Sequence, residues 1–152
     1  LSKSQVEEKL QEYLGANRVL WLDNGYLAGD DTDSHIDTLA RFVNKETIAY
    51  VKCDNKKDEH YEELKKMEEQ LKSFRTKDAK PYKLVPLPMC EAKYDKEKLR
   101  LPATYANFLI CNDALIYPTY NDKNDKKAGE IFKELFYNKE IIPVNCLKLI
   151  EQ

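Results

Sequence analysis

An acidic stretch around a histidine, GDDTDSHIDTLARFV at residues 29–43, has the strongest chemical character in the chain. Four aspartates surround His35, which is one of only two histidines. In an extended segment, residues two apart point to the same side, so we expect Asp33, His35 and Asp37 to share one face. Carboxylates beside an imidazole favour its protonated form, and such a face could hold a planar cation. On spacing alone, an acidic surface loop with an incidental histidine is an equally good interpretation.

Metal binding is a weaker interpretation of the same stretch. Asp30, Asp31, Asp33 and His35 offer oxygen and imidazole ligands. A loop that begins at Asp30 or Asp31 nevertheless lacks the glycine and the glutamate that an EF-hand places at its sixth and twelfth positions. We therefore expect no metal site, and nothing else in the chain predicts an organic cofactor.

The remaining candidate residues have ordinary structural interpretations. His60, in DEHYEELKK, is expected on the solvated side of a helix, and Asn107, in TYANFLI, is expected at a strand edge as a hydrogen-bonding residue. Trp21 is expected in the core. The four cysteines lack CxxC spacing, which favours buried, reduced thiols over a zinc site or a disulfide framework; they are Cys53, Cys90, Cys111 and Cys146.

The N-terminal residues 1–17 are predicted to form a helical lead-in. Ser4 and Glu7 have the spacing of a capping box, and Gly15 is a natural helix end. Apolar residues recur at helical spacing; they are Val6, Leu10, Tyr13 and Leu14. The following segment RVLWL, at residues 18–22, is predicted to be a short buried strand.

A weak internal repeat organises the rest of the chain. TIAYVKCDNKKD at residues 47–58 aligns with ALIYPTYNDKND at residues 114–125, an offset of 67 residues, with three identities. Each copy has an apolar strand before it and a helix and a proline-containing strand after it. The predicted unit is strand, strand, helix, strand, within residues 18–91 and again within residues 100–150. Such units bury their apolar faces against neighbouring units.

The two predicted helices have apolar stripes that define their inward faces. The first helix is expected to bury Leu64, Met67, Leu71 and Phe74. The second is expected to bury Ile131 and Leu135, with Phe132 as a further candidate.

Composition excludes several classes of partner. The net charge of −2 argues against nucleic acid and against an anionic membrane surface. The longest apolar stretch is interrupted by Asn112 and Asp113, and the first residues lack the apolar region of a signal peptide. With reduced cysteines, these features predict a cytoplasmic protein.

Two segments together resemble a known family. RVLWLDNGYLAGDDTDSHIDTLARFV and LPATYANFLICNDALIYPTYNDKNDKKAGEIFKELF are similar to the agmatine deiminases and the Porphyromonas-type peptidyl-arginine deiminases. The resemblance covers essentially the whole chain. It implies an α/β pentein fold, in which five strand–strand–helix–strand units surround a central site, and this chain would be a partial pentein.

The resemblance also implies roles for individual residues. His35 matches the catalytic histidine, Asp37 matches a carboxylate that grips the guanidinium, and Asn107 matches an asparagine beside the active site. Asp31 and Asp33 would lie in the acidic approach and contribute to substrate binding. The implied substrate is the guanidinium of agmatine, which is converted to N-carbamoylputrescine and ammonia in putrescine biosynthesis. The alternatives are peptidyl-arginine deimination to citrulline and a non-catalytic binding module.

One departure from the family pattern affects the isolated chain. The nucleophilic cysteine lies in a later glycine-containing segment, and Cys146 belongs to a strand and does not match it. A second guanidinium-binding carboxylate belongs to a preceding half. We therefore expect a fragment that is inactive alone, whose strand edges pair with the remaining segments of a parent chain or with a second copy in a homo-oligomer.

Overall fold

The computed structural model describes residues 1–30 and 35–151. Three helices and six strands make up its regular structure, and each of the two sheets has three strands. In chain order the elements are α1 (Lys3–Leu14), β1 (Ala40–Asn44), β2 (Thr47–Lys52), α2 (Tyr61–Ser73), β3 (Lys83–Pro88), β4 (Leu109–Cys111), β5 (Ala114–Thr119), α3 (Asp125–Leu135) and β6 (Glu140–Asn145).

The two sheets are built in the same way. In the first, β2 pairs antiparallel with β1 and parallel with β3. In the second, β5 pairs antiparallel with β4 and parallel with β6. The hairpins close at Asn44 opposite Thr47 and at Cys111 opposite Ala114, positions separated by the offset of the sequence repeat. The predicted strand–strand–helix–strand repeat is therefore confirmed.

Three of the four prolines in strands lie in strands at a sheet edge, and the fourth, Pro118 in the central strand β5, lies beyond Ile116, the last residue of β5 that pairs with β4. Pro86 and Pro88 belong to β3 and Pro143 belongs to β6, and both strands pair on one side only within the described residues. Proline lacks the backbone N–H that a strand with two neighbours must donate, which explains this placement.

One hydrophobic core joins the two units. In α2, Leu64, Met67 and Leu71 are buried as predicted, while Phe74 is only partly buried. In α3, Phe132 is completely buried, and Ile131 and Leu135, which were expected to lead the inward face, are only partly buried. The small residues Ala128 and Gly129 allow this closer approach of α3, since a Cβ on Gly129 would lie 2.5 Å from the Tyr117 hydroxyl.

Aromatic rings fill the centre of the second unit. The ring of Phe108 packs edge-on against Phe132 at 5.2 Å and against Phe136 at 5.8 Å between centroids. Tyr117 packs against Phe132 from the other side, also at 5.2 Å. Such edge-to-face pairs add to the free energy of burial and fix the mutual orientation of the rings. Phe108 therefore holds the segment before β4 against helix α3.

Two polar contacts also tie the units together. The buried hydroxyl of Thr104 donates to the carbonyl of Thr38 at 2.7 Å and accepts from the N–H of Ala106 at 3.1 Å. The guanidinium of Arg41, in β1, donates to the carbonyl of Phe108 and lies over the Phe108 ring at 4.9 Å. The beginning of the first unit is thereby fastened to the segment that precedes β4.

The N-terminal helix forms, but not with the expected details. Its cap is Ser2, which forms a capping box with Gln5, rather than Ser4 with Glu7. Gly15 ends the helix in the left-handed conformation, as predicted. The helix contributes no fully buried residue, and Tyr13 and Leu14 are 71% and 75% exposed. The apolar spacing of this helix is therefore not a stripe that faces the core.

The predicted strand at residues 18–22 is wrong. The segment lacks regular structure, and the side chain of Gln70, in α2, bonds the backbone at its end and directly after it. The Gln70 amide donates to the carbonyl of Trp21 at 3.0 Å and accepts from the N–H of Asp23 at 2.9 Å. The Gln70 side chain therefore provides at Trp21 and Asp23 the hydrogen bonds that a neighbouring strand would otherwise provide. Trp21 is only partly buried, and its indole N–H donates to Glu7, so its predicted core position is also wrong.

Across the described ranges, no helix combines the length and the apolar composition that crossing a bilayer requires.

Two neighbouring aromatic residues provide a test of the core. Phe136 is 5% exposed, whereas Tyr137 is 88% exposed. We expect Phe136→Ala to lower the free energy of unfolding by about 3–5 kcal/mol, because a large ring is removed from a packed site. Tyr137→Ala should change it by less than about 0.5 kcal/mol. Urea denaturation measures both, and equal losses would contradict the described packing.

The tie between the units can be tested at Thr104. Thr104→Val removes the hydroxyl at nearly constant volume and leaves the Thr38 carbonyl and the Ala106 N–H without their partner. We expect a loss of about 1–3 kcal/mol in the free energy of unfolding. Thr104→Ser keeps the hydroxyl and should be closer to the unsubstituted protein. A serine variant as unstable as the valine variant would show that the hydroxyl does not contribute.

Candidate active site

The acidic stretch enters the first unit through a short helical turn. Residues 36–38 form one turn of 3₁₀ helix directly before β1, with His35 as its N-cap. The extended geometry expected through Asp37 is therefore wrong, since Asp37 lies inside the turn. The turn nevertheless brings the two groups near each other, with His35 Nδ1 4.0 Å from Asp37 Oδ1. Asp31 and Asp33 lie outside the described residues.

Both side chains remain accessible to a ligand. His35 and Asp37 retain 56% and 45% of their side-chain surface. Their separation is too long for a direct hydrogen bond between the two groups. An imidazole and a carboxylate in this relation can bind a cation and exchange a proton with it.

Thr38 holds the backbone of the 3₁₀ turn through its hydroxyl and its carbonyl. Its hydroxyl lies 2.6 Å from the carbonyl of His35 and 2.9 Å from a carboxylate oxygen of Asp30. The carbonyl of Thr38 in turn accepts from Thr104. Because Thr38 is buried, these contacts fix the backbone beneath the exposed pair.

Asn107 lies just before the first strand of the second unit. It is exposed, between the buried residues Ala106 and Phe108, and precedes β4. No direct bond joins it to His35 or Asp37 in the part of the chain that the structure describes. The Thr104–Thr38 and Arg41–Phe108 contacts flank Asn107 in the second unit and follow Asp37 by one and four residues in the first, so the segments that carry Asn107 and Asp37 are fastened side by side.

The carboxylate of Asp125 fixes the segment that leads to Asn107. Asp125, at the start of α3, accepts from the Tyr105 hydroxyl at 2.7 Å and from the backbone N–H groups of Tyr120 and Asp122. The Tyr120 hydroxyl donates to the carbonyl of Thr104 at 2.9 Å. Tyr105 is completely buried, so its side chain and backbone are fixed two residues before Asn107.

The predicted solvation of His60 is wrong. The side chain is completely buried, with Nδ1 2.6 Å from Asp58 Oδ1 and Nε2 2.8 Å from the N–H of Ala28. His60 immediately precedes α2 and falls on the stripe of Leu64, Met67 and Leu71, at spacings of four, seven and eleven residues. That spacing was visible in the sequence and indicated burial.

The cysteines divide into buried and accessible thiols. Cys53 and Cys90 are buried as expected, Cys146 is partly buried and Cys111 is exposed, which contradicts the uniform burial predicted for the four. Burial raises the pKa of Cys53, Cys90 and Cys146, to about 12 for Cys90. These three thiols therefore stay protonated at neutral pH and are poor nucleophiles.

The family of the chain is shown by a match over its full length. A family model described as Porphyromonas-type peptidyl-arginine deiminase matches residues 1–152. An agmatine deiminase of Medicago truncatula is 32% identical over an alignment that covers 95% of this chain and 43% of that protein.

Solved structures agree with this match. A Porphyromonas gingivalis protein, provisionally identified as an arginine deiminase, superposes with a TM-score of 0.96 at 52% identity and covers 100% of this chain and 44% of that one. A cysteine-to-serine variant of the agmatine deiminase of C. jejuni, solved with substrate bound, gives a TM-score of 0.90 at 45% identity and covers 100% and 44%. The chain spans less than half the length of these relatives.

The likeness extends from the sequence match to the arrangement of the elements. Both strand–strand–helix–strand units superpose on the solved deiminases, so the α/β architecture is part of a pentein fold, as the resemblance implied. The chain belongs to the Porphyromonas-type peptidyl-arginine deiminase family.

Proposed function

We propose that the chain carries the histidine, one carboxylate and the asparagine of a site that hydrolyses the guanidinium group of agmatine to N-carbamoylputrescine and ammonia. The observation that carries the proposal is the exposed pair of His35 and Asp37, held 4.0 Å apart on a fixed backbone turn. Membership of a deiminase family and the likeness to a substrate-bound agmatine deiminase support the same substrate class.

A guanidinium cation suits this pair for chemical reasons. It is flat and positively charged, and its N–H edges match the two oxygens of a carboxylate in a forked pair. We assign this role to Asp37, with Asn107 lining the same ligand from the second unit. Asp31 and Asp33 extend the negative charge along the approach and attract the cation.

The reaction needs an acid that later acts as a base. A thiolate attacks the guanidinium carbon and forms a C–S bond, and the C–N bond then breaks as the departing nitrogen takes a proton from the imidazolium of His35. Water next attacks the same carbon and gives up a proton to His35 while the C–S bond breaks. The second proton of the water is released as the C=O bond forms and is taken up by the ammonia, so the products are ammonium and the carbamoyl compound, and the thiolate and imidazolium are regenerated.

We assign the thiol to a cysteine outside these 152 residues, as the family resemblance implies. The protonated state of Cys53, Cys90 and Cys146 argues against each of them. The exposed Cys111 lies at the hairpin between β4 and β5, three residues beyond Phe108, where the segment fastened by Thr104 and Arg41 ends. In this assignment the chain alone is inactive and works within a complete polypeptide or an assembly of copies.

A second candidate is deimination of arginine side chains in proteins. The description of the matching family model favours it. Both reactions use the same guanidinium chemistry, so the residues proposed here serve either substrate. We favour agmatine because the curated relative from M. truncatula is an agmatine deiminase. A cytoplasmic location agrees with the free thiols of all four cysteines.

The proposal is tested by ammonia release from the complete polypeptide that contains this chain. We expect release from agmatine, with much slower release from a peptide that contains arginine. Asp37→Asn removes the charge that binds the guanidinium, and His35→Ala removes the acid and base, so each should lower turnover at least about 100-fold.

The matched control is Asp113→Asn, which removes an exposed carboxylate from the turn between β4 and β5. It should leave turnover unchanged. Parent-level turnover in either site variant would disprove the assigned role, and faster release from the arginine peptide would select the second candidate.

A further inference from the structure

The buried histidine has a defined tautomer. A backbone N–H is always a donor, so the Nε2 atom of His60, 2.8 Å from the Ala28 nitrogen, must carry no proton. The proton of the neutral ring therefore sits on Nδ1 and is donated to Asp58 Oδ1 at 2.6 Å. The ring is thus oriented at both nitrogen atoms and leaves no freedom for a flip.

The partner carboxylate of His60 is itself tightly held. Arg100 donates to both oxygens of Asp58, at 2.9 and 3.1 Å, and the backbone N–H of His60 donates to Oδ1. Burial alone would raise the pKa of Asp58, but the bonds from Arg100 and His60 outweigh it and lower the pKa to about 2. Asp58 is therefore ionised at neutral pH and accepts fully from the imidazole.

The Nε2 side of the His60 ring holds the loop that leads into the acidic stretch. Ala28 is 6% exposed, and the Tyr26 ring stacks on the His60 ring at 5.4 Å between centroids. Gly29 has a φ of +78°, and a Cβ there would lie 2.3 Å from the Arg100 carbonyl. The loop is therefore clamped between the start of α2 and the segment at residue 100.

From this loop, hydrogen bonds continue to the candidate site. Asp30, two residues after Ala28, accepts from the hydroxyl of Thr38, which also lies 2.6 Å from the carbonyl of His35. A path of hydrogen bonds and backbone thus runs from Asp58 through His60 and the loop to the backbone that carries the exposed pair.

We propose that His60 is a positioning residue: as the Nδ1–H tautomer it accepts from Ala28, fixes the loop at residues 25–30, and thereby places His35 and Asp37 for the reaction. The proposal rests on the proposed function for its effect on turnover. Its structural part, the control of the loop by the Nε2 acceptor, stands independently.

A pair of isosteric substitutions separates the two bonds of the ring. Glutamine can present its Oε1 near the position of Nε2 and accept from Ala28, but it cannot reproduce the Nδ1–H donor. Asparagine can present its amide N–H near the position of Nδ1 and donate to Asp58, but it leaves the Ala28 N–H without an acceptor. If His60 only stabilises the fold, both variants should be affected alike, because each loses packing and one bond. If His60 positions the loop, the variant that keeps an acceptor for the Ala28 N–H should be affected less.

The experiment compares His60→Gln and His60→Asn in the complete polypeptide. We expect similar losses of Tm in the two variants. The kcat for agmatine should stay within about 5-fold in His60→Gln and fall about 10–100-fold in His60→Asn, because small displacements of reacting groups slow the chemical step. Hydrogen exchange of the Ala28 amide should accelerate at least tenfold in His60→Asn and remain near the unsubstituted rate in His60→Gln.

Two results would overturn the positioning role. One is slow, unchanged exchange of the Ala28 amide in His60→Asn. The other is an equal loss of kcat in the two variants, in proportion to their loss of Tm. If the unsubstituted polypeptide releases no ammonia from any guanidine compound, the proposed function is wrong, and the exchange of Ala28 alone decides whether His60 holds the loop.

Discussion

Two aspartate networks, one in each unit, are the interactions on which the candidate site depends. Asp58 and Asp125 occupy equivalent positions of the repeat: Asp58 lies shortly before helix α2, and Asp125 is the first residue of helix α3. Each carboxylate fixes a loop that precedes the first strand of its unit. Asp58 acts through the His60 ring on Ala28, and Asp125 binds Tyr105 directly. In each unit a carboxylate thus fixes the loop that leads to the candidate site, which carries His35 and Asp37 in one unit and Asn107 in the other.

The contacts between the units hold the loop that carries His35 and Asp37 beside the loop that carries Asn107. Thr104 and Arg41 join residues that lie 66 and 67 positions apart in the chain. The aromatic cluster of Phe108, Phe132 and Phe136 supports these polar contacts from the core. The proposed guanidinium site consequently lies at a junction between units, where neighbouring repeats contribute different groups. Such a site can be rigid even though its residues lie in loops, because buried polar contacts hold each loop.

The sequence predicted local features well and distant contacts poorly. The repeat and the inward face of α2 follow from periodicity, which each segment encodes by itself. The strand predicted at residues 18–22 is wrong, and the carbonyl of Trp21 is bonded by Gln70, nearly fifty positions later, instead of by a neighbouring strand. His60 was placed in solvent although its spacing with Leu64 indicated burial. His35 and Asp37 stand out by their spacing and charge, but only the family resemblance joins Asn107 to them, since neither spacing nor composition brings residues from two units together.

A crystal structure of the complete polypeptide with His35→Ala and agmatine bound tests the central claim most directly. Removal of the imidazole should block ammonia release and leave the ligand in place. The account predicts that the guanidinium forms a forked pair with the Asp37 carboxylate at about 2.7–3.0 Å, with Asn107 against the same ligand. Agmatine bound with Asp37 turned away, or with no contact to the second unit, would contradict a guanidinium site formed jointly by the two units.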